Sequence, residues 1–166
     1  YIGGVGFYVD ERVIVPRSFI GELLHSGAVV GGEESLIADG DSVSRALDLC
    51  TGSGCLAILM AMTFPDAAID AVDLSGDALE VARRNVAEYG LQNRIELLQG
   101  NLFAPLAGRR YDLIVSNPPY VDAEAMAKLP PEFRHEPVMA LASGQDGLDI
   151  VRRILAQASV HLAPGG

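Results

Sequence analysis

Between residues 45 and 116 the chain alternates short, continuously apolar runs with longer segments of helical period, and each apolar run stops at a polar or glycine-bearing motif. A run such as Leu113-Ile114-Val115 has no polar face, so it needs cover on both sides. Strands covered on both sides belong to a parallel sheet whose crossovers are helices. The spacing predicts strands over 45–50, 67–72, 94–98 and 111–116, with helices over 55–64 and 76–89. Ser75 is placed to cap the second of these, Gly90 to stop it, and Leu79, Ala82, Val86 and Tyr89 share one of its faces. A proline-bearing loop from Asn117 to about residue 143 leads to a last helix over 146–162. Upstream, 7–9 and 13–15 around Asp10-Glu11-Arg12 predict a small β-hairpin, followed by a helix over 16–30 capped by Ser18 and a surface loop over 31–44. Leu162-Ala163-Pro164-Gly165-Gly166 reads as a turn into a further strand, so the sheet is expected to be incomplete at that side and the chain to be part of a longer protein.

Composition narrows the partners. The 166 residues are 49% hydrophobic, enough for one packed domain. Lys and Arg number 12 against 22 Asp and Glu, a net charge of −10. Such a surface repels phosphate backbones, which disfavours direct nucleic-acid binding and suits a basic protein. Two cysteines make no disulfide framework and no signal peptide opens the chain, so a cytoplasmic location is expected. The longest apolar stretch, 55–64, falls far short of the ~20 residues that span a bilayer, so no membrane partner is expected.

In open parallel sheets, ligands bind beyond the carboxyl ends of the strands where strand order reverses. All four polar motifs of this chain fall at such ends. The first is Asp48-Leu49-Cys50-Thr51-Gly52-Ser53-Gly54, whose glycines allow close approach of a ligand and whose following helix offers free N–H groups. With Ala57 it meets the looser dinucleotide pattern, which is weak by itself. Asp73 lies about 20 residues on, where a carboxylate accepts ribose hydroxyls. Spacing leaves equally open that Asp73 only leads into the helix at Ser75. Asp48, inside the strand, suits a cationic amine and sits awkwardly beside a pyrophosphate. At the fourth strand, Asn117-Pro118-Pro119-Tyr120 has a backbone stiffened by two prolines. The Asn117 side-chain oxygen and the Pro118 carbonyl can accept both N–H bonds of a planar –NH₂ group, and Tyr120 can stack on it. Such an amine has a delocalised lone pair and attacks poorly, so it has to be held in line with its electrophile.

Asp48, Gly52, Gly54 and Asp73 together resemble the nucleoside-binding set of class I S-adenosylmethionine-dependent methyltransferases. The resemblance implies a Rossmann-like α/β sheet with helices on both faces and S-adenosylmethionine as cofactor. It assigns Asp48, Thr51, Gly52 and Gly54 to the methionine portion and Asp73, followed by Leu74, to the ribose. Asn101 and Leu102 fall where the family holds adenine, Asn101 replacing its usual Asp. Asn117 borders the cofactor, and Asn117, Pro118, Pro119 and Tyr120 are the implied catalytic residues. The Asn-Pro-Pro-Tyr motif is shared by enzymes acting on adenine or guanine and by enzymes acting on glutamine amides. Residues 7–18 with Glu22-Leu23, then Glu136-Pro137, Ala140-Leu141, Gly144 and Gly147-Leu148, are similar to the protein-(glutamine-N5) methyltransferases. Pro16-Arg17-Ser18-Phe19-Ile20-Gly21-Glu22 and the Cys50-to-Cys55 turn look like the branch that modifies ribosomal protein L-three of the large subunit. A peptide chain release factor and a nucleic-acid base stay as alternative substrates. A nicotinamide oxidoreductase leaves Asp48 and Asn117 without a role. The resemblance divides the chain into a hairpin and helix over 1–30 leading into a methyltransferase domain over 31–166. That family also carries an amino-terminal helical domain and three more strands, so cofactor binding without turnover is a third expectation for this stretch. Cys50, Cys55 and the scattered His25, His135 and His161 make no metal set, and Arg83-Arg84 and Arg152-Arg153 are too short for a nucleic-acid patch.

Overall fold

Four parallel strands lie side by side in the computed structural model, which describes residues 1–16, 18–25, 29–30, 35–37, 39–121 and 146–166. They are β1 (Arg45–Leu49), β2 (Ala68–Asp73), β3 (Ile95–Gln99) and β4 (Leu113–Ser116), in the order β3-β2-β1-β4. The chain moves outward from β1 to β3, then returns to place β4 on the other side of β1. Strand order therefore reverses between β1 and β4, where a parallel sheet opens a crevice.

Side chains alternate across the sheet and meet a helical layer on each face. Ala46, Ile69 and Ala71 pack with α2 (Cys55–Thr63) and with Val86 of α3 (Gly76–Glu88). Leu47, Leu49 and Val72 pack with Leu102, Phe103, Leu106 and Ile154, the last on α4 (Asp149–His161). The α/β sheet with helices on both faces is thus as the sequence predicts. Residues from Cys55 to Ala61 of α2 are buried all round, because α1 (Phe19–His25) covers its outer side. That approach needs Gly21, where a Cβ would fall 3.1 Å from Leu59. Ser75 caps α3 as expected, its Oγ accepting from the Ala78 N–H, and Gly90 ends the helix at φ 67°.

Two expectations change. The stretches 7–9 and 13–15 form no strand, hence no hairpin. Asp10 instead makes a turn, its carbonyl accepting from the Val13 N–H and its carboxylate from the Arg12 backbone and guanidinium. That carboxylate satisfies a lone turn, while Tyr8 and Val13 turn to α3 rather than to each other. The first helix starts at Phe19 rather than near 16 and is described to His25, opened by the Ser18 Oγ accepting from the Ile20 N–H, and residues 29–30 are not helical. The loop motifs at Arg134 to Gly144 lie outside the described residues. No helix among the described residues is long and apolar enough to cross a membrane.

Arg94 ties the two ends of one crossover. Its guanidinium donates to the carbonyls of Ala61, Phe64 and Ala67, closing the end of α2 onto the start of β2. These carbonyls are oriented for a planar fork rather than a point charge. Replacement Arg94→Ala is expected to lower unfolding free energy by about 2–4 kcal/mol, and Arg94→Lys to restore less than half of that, as read by urea denaturation.

Candidate functional site

Register brings the polar strand ends to one level. Leu49 pairs with Val72 on one side and with Ser116 on the other, while Asp73 pairs with Gln99. Cys50, Asp73 and Asn117 therefore share one edge of the sheet, with the loop after β3 beside them. The Ser116 hydroxyl donates to the Leu49 carbonyl at 2.8 Å, fixing β4 to β1 where the crevice opens.

The turn from β1 into α2 takes three residues through left-handed backbone: Cys50 at φ 61°, Gly52 at 56° and Gly54 at 79°. The two glycines have different reasons. A Cβ on Gly54 would meet Ala82 of α3 at 3.1 Å, so close packing excludes it. A Cβ on Gly52 would meet nothing within 4 Å, so it faces open space where a ligand backbone or chain can lie. Asp73 holds this turn in place: one carboxylate oxygen accepts from the Gly52 N–H at 2.8 Å, the other from the Ser75 N–H at 2.9 Å. Each oxygen keeps a further lone pair for hydroxyl donors. The two readings of Asp73 left open by spacing are therefore compatible. It does lead into the helix, and it still faces the crevice.

Asp48 is fully buried under the turn. One of its oxygens accepts from the Thr51 hydroxyl at 2.5 Å and from the Ala57 N–H at 3.1 Å. The other, Oδ1, has no partner among the described residues. Burial pushes this carboxyl up to about 7, against the pull of the Thr51 and Ala57 bonds and helped by the nearby Asp73 charge. An unpartnered, buried acceptor held near neutrality is suited to a cationic donor. Burial likewise pushes the Cys50 and Cys55 thiols up to about 12, so both are protonated packing groups and poor nucleophiles at neutral pH.

Leu74, next to Asp73, is 51% exposed and presents an apolar surface beside the turn. In the loop after β3, Leu102 is buried with φ 53° and Asn101 is exposed. Asn101 has a partner that its sequence did not announce: its Oδ1 accepts from Arg153 of α4 at 2.8 Å. After β4, Asn117, Pro118 and Pro119 are half-buried and Tyr120 is 66% exposed. The structure thus gathers Asp48, Thr51, Gly52, Gly54 and Asp73 through direct hydrogen bonds or backbone continuity. It sets the Asn117 motif on the adjoining strand end, and leaves Asn101 tied to the opposite helical layer. Sequence reasoning missed Asn85, a fully buried amide of α3 whose Nδ2 donates to the Ser53 carbonyl of the turn at 2.8 Å. Its place between Arg84 and Val86 in an amphipathic helix carried no signal beyond an ordinary polar residue.

The order of this sheet, the glycine turn and the carboxylate at the next strand end are those of an open α/β sheet with a ligand crevice at the reversal in strand order. The chain belongs to the methyltransferase small domain family, which it matches over residues 34–144. A protein from Bradyrhizobium diazoefficiens named ribosomal protein uL3 glutamine methyltransferase is 64% identical over the whole of this chain and 52% of its own length. One of the same name from Bordetella pertussis is 58% identical over the whole chain and 54% of its own length. The chain therefore spans about half the length of the curated relatives it matches. Among solved structures, the hMettl16 catalytic domain in complex with MAT2A 3′UTR hairpin 6 superposes with a TM-score of 0.66. It covers 95% of this chain and 57% of that one at 18% identity, which is a likeness of fold. The SAH-bound Podospora anserina methyltransferase PaMTH1 has a TM-score of 0.52 at 17% identity, covering 88% of this chain and 48% of that one.

The raised Asp48 carboxyl has a measurable signature. Its ordinary value is 3.8 and its folded value about 7, so between these the folded chain holds a proton that the unfolded chain has released. Stability contributed by this group is fully present below pH ~4 and is lost as pH rises toward ~7. Thermal unfolding is expected to show that downward slope, and Asp48→Asn, which stays uncharged, to flatten it.

Proposed function

We propose that this chain supplies the catalytic unit of an enzyme that transfers a methyl group from S-adenosylmethionine to the side-chain amide nitrogen of a glutamine in ribosomal protein uL3. The observation that carries this reading is the adjacency of the Asn117-Pro118-Pro119-Tyr120 motif on β4 to the glycine turn on β1, across the reversal in strand order. The names of relatives 56–64% identical over the full chain support the substrate. A net charge of −10 suits a basic ribosomal protein and opposes bare nucleic acid. A cytoplasmic setting follows from such a substrate.

The residues present fit the cofactor. Asp48 Oδ1 is a buried acceptor without a partner, matched to an α-ammonium group, and the open space over Gly52 admits the methionine chain. Thr51 and Gly54 shape the rest of that turn, Asp73 keeps lone pairs for ribose hydroxyls, and the exposed side chain of Leu74 offers an apolar face for a flat ring. Leu102 and the Asn101 amide border the same side from β3. Bound S-adenosylmethionine supplies an electrophilic methyl on a sulfonium, which removes any need for a metal.

The protein's own part is orientation. The Asn117 side-chain oxygen accepts one N–H of a glutamine amide. The Pro118 carbonyl accepts the second, and Pro119 holds that carbonyl outward because its ring forbids helical backbone at Pro118. With both N–H bonds held in one plane, the nitrogen lone pair stands perpendicular to it, in line for attack on the methyl. Positive charge builds on nitrogen as the bond forms, and the two carbonyl dipoles stabilise it. The exposed Tyr120 ring stacks on the planar amide, and the released proton passes to water.

The deciding experiment incubates the full-length protein and S-adenosylmethionine with purified uL3 and maps the product by peptide mass spectrometry. A single added methyl on one glutamine is expected; methylation of a release factor or of RNA in its place overturns the reading. Within it, Asn117→Ala is expected to lower turnover by about 10²–10³-fold. Gly52→Val fills the open space over the turn, and calorimetry is expected to show at least a tenfold loss of S-adenosylhomocysteine affinity. Its stability cost is only about 1–2 kcal/mol of left-handed strain.

A further inference from the structure

One flank of α3, formed by Ala78, Val81, Asn85 and Tyr89, is covered by residues 6–13, an extended strap without strand pairing. Tyr89 donates its hydroxyl to the Gly6 carbonyl at one end, and Val13 is buried against Ala78 and Val81 at the other. The strap therefore runs along the helix toward its N-terminal end. Midway, Asn85 treats Tyr8 as a neighbouring strand would: its Oδ1 accepts from the Tyr8 N–H at 2.8 Å and its Nδ2 donates to the Tyr8 carbonyl at 3.0 Å. The second hydrogen of Nδ2 goes to the Ser53 carbonyl, between the two glycines of the turn. One buried amide thus satisfies three backbone groups, two on Tyr8 and one on Ser53, in segments far apart in sequence. Arg84 adds to the clamp by lying over the Tyr8 ring, 3.5 Å from its centroid.

We infer that Asn85 is a positioning residue that couples the N-terminal strap to the glycine turn, so that the turn and the strap hold or loosen as one unit. A buried asparagine that merely satisfies its own amide has no reason to join these two segments. Here the donor to Ser53 and the pair to Tyr8 share one rigid plane, and a shift of the turn moves the strap. The ligand arm of the test rests on the cofactor reading above; the ligand-free arm does not.

Amide hydrogen exchange on the full-length protein, with and without S-adenosylhomocysteine, reads this directly. Ligand is expected to slow exchange over 51–55 and also over 7–13. In Asn85→Asp, which keeps the acceptor for Tyr8 and loses both donors, ligand-free exchange is expected to rise about tenfold in both segments, and ligand then slows only the turn. Tyr8→Pro removes the strap N–H without altering the helix, and is expected to quicken exchange of the turn even if Asn85→Asp fails to fold. Arg94→Lys, which loosens α2 at its other end, is expected to leave the joint response intact. Strap exchange that ignores ligand in the parent protein, or a turn unmoved by Tyr8→Pro, overturns the inference. Absence of S-adenosylhomocysteine binding by the parent protein overturns the cofactor reading instead, and the ligand-free comparison still decides the role of Asn85.

Discussion

The hydrogen bond from the Gly52 N–H to the Asp73 carboxylate ties the ends of two parallel strands, and the geometry of the crevice depends on it. A glycine turn at φ 56° has no side chain to hold it and has high freedom when unfolded. Asp73 gives it a fixed partner, and the same carboxylate orients the first N–H groups of α3 through Ser75. Helix α3 in turn presents Ala82 to Gly54 and Asn85 to Ser53. Each side of the turn is thus set by a different element: β2 through Asp73, α3 through Ala82 and Asn85, and β1 beneath through Asp48.

A second set of polar contacts fixes the opposite end of the sheet. Asp112 accepts from the N–H groups of Ser44 and Arg45 and from the Ser44 hydroxyl. Burial pushes its carboxyl up, yet these bonds outweigh burial and leave it lowered. Buried Asp70 accepts from the Tyr111 hydroxyl at 2.6 Å and from Arg109 at 2.9 Å. These carboxylates differ from Asp48 in one respect: among the described residues, neither leaves a buried oxygen without a partner. Among the described residues the fold therefore satisfies its carboxylates at the closed end and leaves one buried acceptor, Asp48 Oδ1, without a partner at the open end.

The sheet was legible because its signals are local. Strand ends at 49, 73, 99 and 116 fall within a residue or so of the expected limits, since each apolar run stops at a group that cannot be buried without a partner. Ser75 and Gly90 announced α3 by cap chemistry alone. The hairpin at 7–15 misled because its alternation of apolar residues serves packing against α3, with Tyr8 paired by a side chain 77 positions away. Nothing in the neighbourhood of Tyr8 or of Asn85 could reveal that pairing. Arg94 and Arg153 were hidden for the same reason, each making its contacts to carbonyls or an amide brought near only by the fold. For the candidate site, residue types at strand ends were readable, while the partners that orient them were not.

Arg153 sharpens the meaning of Asn101. Arginine only donates, so the amide oxygen of Asn101 has to face the guanidinium, and its Nδ2 points the other way. An aspartate at 101 would place a third carboxylate on the edge that already carries Asp48 and Asp73, and would form an ion pair with Arg153. Asparagine keeps the tether between the β3 loop and α4 while adding no charge. The cost of leaving Asp48 unpartnered rises with every neighbouring carboxylate, because like charges add to what burial already does to it. A neutral residue at 101 adds no further carboxylate to this edge, where Asp73 already raises the buried Asp48 carboxyl.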